Sequence, residues 1–337
     1  MSGYRWGPVV ISRMVHVLGF AVMVAVLASC GAEPVQKSGA SAPQNPNTLR
    51  GKSNMNMKDR ICLVTGATSG IGKVTAAALA DQGATVIVVS RNEERCADTV
   101  DEIRVSTGNP AVEYMVADLS DLGQVRRLAS EVTSRYPRLD VLVNNAGAYF
   151  LERRKSPDGY EMTWALNYLS PFLLTQLLLP SLEASDSARI INVSSGAHSQ
   201  GVIDFDDLQS ENEYVGLEAY AQSKLALVMF TYELARRLEG GSVTVNALHP
   251  GQVATNFGRN NGVLRFYVRR LVKRNEISPE EGAQTSIYLA TSPDVEGVTG
   301  NYFAKSKPKK SSESSYDRDL AVRLWQVSME MTGLDES

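Results

Sequence analysis

Tyr220 and Lys224 stand four residues apart in Tyr-Ala-Gln-Ser-Lys. On a helix that spacing puts both side chains on one face, roughly 5–6 Å apart. A phenol titrates near about 10 and exchanges protons poorly at neutral pH. A neighbouring ammonium favours the phenolate and lowers that value. The pair is therefore a candidate to trade a proton with a substrate oxygen. Taken alone, a Tyr-x-x-x-Lys pair is common and usually structural. Ser195 closes the run Arg189-Ile190-Ile191-Asn192-Val193-Ser194-Ser195. A hydroxyl at the C-terminal edge of a parallel strand faces the crevice where α/β sheets bind ligands. Ser194 is the competing choice. Asn167 falls in a long apolar stretch, and a buried amide there needs hydrogen-bond partners.

A second group of residues suits a phosphate. Thr65-Gly66-Ala67-Thr68-Ser69-Gly70-Ile71-Gly72 follows the first apolar run and opens a helical pattern. Glycines allow a tight turn and close approach of backbone to a pyrophosphate, and the helix N-terminus offers N–H groups and a favourable dipole. The spacing is G-x-x-x-G-x-G, not the standard G-x-G-x-x-G. The second strand ends in Ser90-Arg91. An acidic residue there would suit ribose hydroxyls, whereas an arginine suits a 2′-phosphate. Lys73 adds charge nearby, so NADP(H) is favoured, with NAD(H) the alternative; the plain alternative for Arg91 is a solvated loop residue.

These residues must be carried by repeated βα units. Strands are expected near Ile61–Val64, Thr85–Val89, Val112–Val116, Val141–Asn144, Arg189–Val193 and Ser242–Ala247, with long helices near Gly159–Leu182 and Glu218–Leu238. A helical segment follows Pro279, Lys305–Ser315 reads as a polar loop, and Asp317–Met331 as a closing helix. The pattern predicts an α/β fold: a single Rossmann-type, doubly wound parallel sheet of about seven strands with flanking helices and a C-terminal helix. The 337 residues are 43% hydrophobic, enough for a full core. With 34 basic and 37 acidic residues the net charge is -3, which argues against a nucleic-acid binder. Three cysteines make no disulfide framework, and three scattered histidines make no zinc site.

The variant glycine spacing resembles that of the short-chain dehydrogenase/reductase family, and further stations match in family order from Met57 to about Phe303. Asp118-Leu119 matches the adenine-contacting position. Asn144-Asn145-Ala146-Gly147 matches the family's NNAG motif, which supports the sheet and lines the cofactor. His249-Pro250-Gly251-Gln252-Val253-Ala254-Thr255 resembles its P-G-x-V-x-T segment, in which Val253 and Thr255 would contact the nicotinamide carboxamide. The resemblance implies that Gly66, Ser69, Gly70, Ile71, Gly72, Arg91, Asp118, Leu119, Asn145, Ala146, Gly147, Tyr220, Lys224, Pro250, Val253 and Thr255 bind the cofactor. Tyr220, Lys224, Ser195 and Asn167 would form the catalytic set, with Asn167 holding a water that links the lysine to solvent. His249 reads as structural. Twenty-five positions separate Ser195 from Tyr220. With Gly282-Ala283-Gln284-Thr285-Ser286 and Arg323-Leu324-Trp325, that interval resembles the retinol-dehydrogenase-like subgroup. The implied activity is NADP(H)-dependent interconversion of an apolar alcohol and its ketone or aldehyde. The alternatives are the same chemistry with NAD(H), and a non-catalytic NADP(H)-binding sensor or scaffold.

Arg5 and Arg13 precede an apolar run, Val15 to Ala28, that is short for a transmembrane helix. It ends in Leu27-Ala28-Ser29-Cys30, which resembles a bacterial lipoprotein signal with Cys30 lipidated. Residues 1–30 are thus a leader, 31–56 a flexible tether, and 57–337 the catalytic domain. The competing expectation is a true start near Met55 or Met57 and a cytoplasmic protein, since a lipidated Cys30 conflicts with access to NADP(H). The stretch from Phe257 to Asn275 holds six basic residues, no acidic ones, and interleaved apolar ones. It reads either as a solvated basic lid or as a membrane-surface segment. A small apolar carbonyl or alcohol is the expected partner, with no nucleic acid; homo-oligomers are compatible with all of this.

Overall fold

The computed structural model describes residues 56–251 and 277–334. The expectations for the leader, Cys30, most of the tether, Val253, Thr255 and the basic segment from Phe257 lie outside the described residues. Eight strands form one sheet in the order β3-β2-β1-β4-β5-β6-β7-β8. They are β1 (Ile61–Thr65), β2 (Thr85–Ser90), β3 (Val112–Val116), β4 (Val141–Asn144), β5 (Ala188–Val193), β6 (Val243–His249), β7 (Asn301–Ala304) and β8 (Lys307–Pro308). The first seven pair in parallel; β8 turns back antiparallel on β7. β8 and a short 3-10 turn at Glu313–Tyr316 replace part of the expected polar loop.

Side-chain alternation builds the two layers. In β1 and β2, Cys62, Val64, Val86 and Val88 face α1 (Gly70–Asp81), α2 (Glu93–Thr107) and α7 (Pro279–Thr291). Leu63, Ile87 and Val89 face the other way. There they meet α3 (Leu122–Arg135), α5 (Ser170–Glu183), α6 (Gly216–Arg237) and α8 (Arg318–Thr332). That period of two is what a strand buried on both faces requires.

The long helix expected from Gly159 starts later and is not uniform. A turn with Gly159 at φ +88° precedes it, and Glu161 caps it, its carboxylate accepting from the Thr163 and Trp164 amides. The chain then runs through α4 (Met162–Trp164), a π-helical turn at Ala165–Leu169, and α5. Nothing in hydrophobic spacing announces a π turn, which holds one extra residue per turn and often marks a functional position.

Polar ties cross the sheet beneath the site. Asn144 Nδ2 donates to Thr175 Oγ1 (3.0 Å) and Asn192 Oδ1 (2.8 Å), and Asn192 Nδ2 donates to Thr231 Oγ1 (2.9 Å). This buried chain joins α5, β4, β5 and α6, and low local polarity strengthens each link. On the outer side, α8 lays Trp325 against Phe172 and Phe230, with ring centroids 5.2 and 5.9 Å apart, and under the Arg237 guanidinium. The Tyr168 and Ser328 hydroxyls meet at 2.6 Å. Among the described residues, no helix is long and apolar enough to cross a membrane.

Trp325 is 6% exposed. Trp325→Ala is expected to lower the unfolding free energy by about 3–5 kcal/mol, as large-to-small core changes do. Urea denaturation followed by circular dichroism measures this.

Candidate active site

Sheet order reverses between β1 and β4, and the crevice opens at their C-terminal ends. One hydroxyl joins the two loops there. Thr65 Oγ1 accepts from the Asn145 and Ala146 amides (2.9 and 3.0 Å) and donates to the Val143 carbonyl (3.2 Å). Asn145 Nδ2 in turn donates to the Thr65 and Gly66 carbonyls (2.8 and 3.3 Å). The glycine loop is packed so tightly on this turn that Gly66 and Gly72 have no room for a side chain. A Cβ on Gly72 would stand 2.4 Å from Asn145 Nδ2 and 2.5 Å from the Gly66 carbonyl oxygen. One on Gly66, whose φ is +65°, would stand 2.9 Å from Ala146 Cα.

Like α6, which follows Val215, α1 starts without a side-chain cap, unlike four other helices. Asn92, Asp121, Ser278 and Asp317 all cap their helices through the side chain. Ser69 makes no such bond, and the first turn of α1 carries no acidic residue. The leading N–H groups of α1, with Ser69, Gly70 and Ile71, are thus left to a group outside the helix. A backbone cradle with no room for a Cβ at Gly66 or Gly72 and a helix start without its own cap fit a dinucleotide pyrophosphate. Arg91 lies exposed just beyond β2. Lys73, expected to add charge at the same place, is ion-paired with Glu102 of α2. Asp118 Oδ1 accepts from the Ser120 amide (3.0 Å) and hydroxyl (2.7 Å), which holds the loop carrying Leu119.

The four candidate catalytic side chains form a run of neighbours: Asn167 and Lys224 meet at Gly147, Lys224 lies beside the Tyr220 ring, and Tyr220 meets Ser195. Asn167 sits in the π turn; its Oδ1 accepts from the Ala148 amide (2.9 Å), and its Nδ2 donates to the Ala148 carbonyl (2.9 Å) and Ser223 Oγ (3.1 Å). A Cβ on Gly147 would stand 3.2 Å from Asn167 Oδ1 and 3.3 Å from Lys224 Nζ. Lys224 Nζ donates to the Val193 carbonyl (2.9 Å) and lies 5.8 Å from the Tyr220 ring centroid. Ser195 hydrogen-bonds the Tyr220 phenol. The two serines divide: Ser194 Oγ donates to the Lys224 carbonyl (2.9 Å), while Ser195 Oγ accepts from the Ala197 amide (3.2 Å) at the head of a 3-10 turn. Tyr149 packs edge-on against Tyr220 at 6.0 Å, and Ala148, Tyr149 and Phe150 are buried. Pro250 follows β6, directly before Gly251 with its φ of +96°.

Burial sets the protonation states. It pushes the Tyr220 phenol up to about 12, against the Ser195 hydrogen bond that lowers it, and brings Lys224 down to about 8. The expected lowering of the tyrosine by its lysine is therefore not what the protein alone provides: loss of hydration dominates, and Nζ is turned to the Val193 carbonyl. Tyr220 is a neutral phenol at pH 7. Three site-supporting residues were not singled out from sequence. Ser223 holds Asn167, Glu161 starts the helix that carries it, and His198 binds the Ser195 carbonyl. A buried acid just before an apolar run, and a histidine three residues after a serine, were the available signals.

Gly72→Ala is expected to force Asn145 off the loop and lower stability by about 1–3 kcal/mol, the usual cost of overpacking. Thermal unfolding measures it.

The model of the short chain dehydrogenase family matches residues 60–262. Retinol dehydrogenase 14 of Homo sapiens is 42% identical over 313 residues, covering 87% of this chain and 92% of its own. Polyprenol dehydrogenase of Homo sapiens is 42% identical over 287 residues, covering 82% and 86%. Among solved structures, the Pseudomonas aeruginosa RhlG/NADP active-site complex superimposes with a TM-score of 0.60 at 31% identity, covering 74% of this chain and 95% of that one. With this geometry and these relatives, the chain belongs to the short-chain dehydrogenase family, in its retinol-dehydrogenase-like subgroup, and is an oxidoreductase acting on CH–OH groups with a nicotinamide dinucleotide.

Proposed function

We propose that this chain interconverts an apolar alcohol and its aldehyde or ketone with NADP(H), through a catalytic domain spanning residues 57–337. The observation that carries the reading is the run of neighbours from Asn167 and Lys224 at the Gly147 turn through Tyr220 to Ser195. The apolar substrate class is supported by the buried Ala148–Phe150 wall and by relatives named for retinol and polyprenol. NADP(H) is supported by Arg91 beyond β2 and by the NADP complex of a 31% identical structure.

The bound dinucleotide supplies or accepts a hydride at the carbonyl carbon. The residues do the rest. Gly66, Gly70 and Gly72 admit the pyrophosphate to the start of α1, with Ser69 and Ile71 flanking it. Arg91 takes the 2′-phosphate, and Asp118 and Leu119 take the adenine side. Asn145, Ala146 and Gly147 line the middle. Pro250, Val253 and Thr255 hold the carboxamide end. Ser195 donates to the substrate oxygen. Tyr220, neutral at pH 7, gives its proton to the developing alkoxide, a stronger base than the phenolate left behind. Lys224 steadies that phenolate and holds the nicotinamide ribose. Asn167 keeps a path from the lysine to solvent.

An NADPH-oxidation screen with retinoid, steroid, lipid-aldehyde and quinone carbonyls tests this. Tyr220→Phe is expected to abolish turnover while NADPH still binds; a rate near wild type would overturn the mechanism. The rate should be flat below about pH 8 and fall above it, because Lys224 is charged below its pKa of about 8 and loses that charge as pH rises. Arg91→Ala is expected to weaken NADPH binding by on the order of tenfold, the worth of one charge-assisted hydrogen bond, while leaving NADH unchanged. Cofactor fluorescence titrations with both forms decide it.

A further inference from the structure

Two histidines outside the catalytic set hold one peptide bond. The carbonyl of Ser195 and the N–H of Gly196 belong to the same planar unit. His198 Nδ1 lies 2.7 Å from that carbonyl oxygen. On the other side, the Gly196 amide donates to His249 Nδ1 (3.0 Å). The partners assign the tautomers. His198 Nε2 accepts from the Ser312 amide (3.1 Å), an N–H that can only donate. The proton of His198 therefore sits on Nδ1 and points to the Ser195 carbonyl. His249 Nδ1 must be bare to accept from Gly196, so its proton is on Nε2. Both rings are buried enough to disfavour the charged form, and Lys309 opposes charge on both. The Tyr302 ring packs at a tilt against His198, centroids 4.7 Å apart, and its hydroxyl stands 3.4 Å from Nδ1.

We infer that His198 and His249 are positioning residues: as opposite neutral tautomers they clamp the Ser195–Gly196 peptide plane, and so aim the Ser195 hydroxyl at Tyr220 and the substrate oxygen. The inference rests on the catalytic reading of Ser195 given above. The lever is short. The Ser195 carbonyl and Oγ sit on one residue whose extended backbone (φ −153°, ψ 157°) starts the 3-10 turn. A rotated peptide plane would carry the Ala197 amide, which Oγ accepts from, out of line. Through Ser312, the clamp also extends to the chain segment following β8, far along the sequence from the reacting groups. His198 thus makes the catalytic serine depend on how that segment docks.

The test uses the full chain, NADPH and all-trans-retinaldehyde, or whichever carbonyl the screen selects. His198→Leu removes the donor; His198→Asn keeps an N–H near the position of Nδ1. His198→Leu is expected to lower kcat at least about tenfold, a misplacement effect, with the NADPH dissociation constant unchanged. His198→Asn should restore most of that loss, and His249→Asn, which keeps an acceptor, should outperform His249→Leu in the same way. Ser195→Ala is the control. If it retains the wild-type rate, the catalytic reading falls and the clamp with it. If it is inactive while His198→Leu stays within twofold of wild type, the clamp alone is overturned. An Asn variant as slow as the Leu variant also overturns it, because packing and not the N–H would then matter. Should the histidine variants fail to fold, Ser312→Pro carries the test. Its φ of −66° already suits proline, which deletes the N–H that fixes the tautomer together with a hydroxyl that meets the exposed Ser314 hydroxyl at 3.2 Å. A fall in kcat of about threefold or more at unchanged NADPH affinity supports the clamp, and an unchanged kcat overturns it.

Discussion

The site depends on one hydroxyl. Thr65 Oγ1 holds two amides of the Asn145–Ala146 turn and gives its proton to the Val143 carbonyl, so β1 and β4 cannot move apart at the edge where their chain directions diverge. The loop that would hold the pyrophosphate and the turn that would line the middle of the dinucleotide both hang from that junction. The glycine loop leaves β1 directly after Thr65, and the turn leading to Gly147 leaves β4 two residues after Val143. Asn145 then returns two hydrogen bonds to the loop. The arrangement leaves no volume for a Cβ at Gly72 or Gly66, so loop and turn behave as a single rigid piece. Lys224 and Asn167 are placed against the same piece from the other side.

Burial is the second constraint, and it pulls against the chemistry. Lys224 is 4% exposed and Tyr220 9%. Removing both from water favours their neutral forms, which is why the phenol rises and the ammonium falls. A tyrosine in that state is suited to giving a proton up. In the proposed mechanism the hydroxyl of Ser195 and the charge on Lys224 then matter as stabilisers of the phenolate that remains, more than as agents that create it beforehand.

Much of this was legible in the sequence because it depends on local pattern. The alternation in Cys62-Leu63-Val64 and Val86-Ile87-Val88 shows two buried faces, and the glycine spacing marks the loop after β1. The four spacing-defined site residues share one region for the same reason: each lies at a strand end or on a helix face that the βα rhythm already locates. The features that escaped depend on contacts between distant segments. Lys73 beside a glycine loop looks like a phosphate ligand until Glu102, on the next helix, is seen to hold it. The π turn at Ala165–Leu169 comes from one extra residue taken up within an apolar run, which hydrophobic spacing averages away. His198 looks incidental until Ser312, 114 positions later, gives it a tautomer.

The position of α8 bears on when the protein can fold as well as on how firmly. Phe172 and Phe230, the hydroxyl of Tyr168 and that of Tyr160 all find partners on the last described helix, at Trp325, Ser328 and Met331. On a ribosome those partners emerge after every strand of the sheet. The nascent sheet can assemble from its N-terminal strands, but its outer layer stays uncovered until α8 has emerged. A dehydrogenase built this way completes its core only once α8 has followed the sheet out, and its exposed aromatic face until then is the kind of surface that chaperones bind.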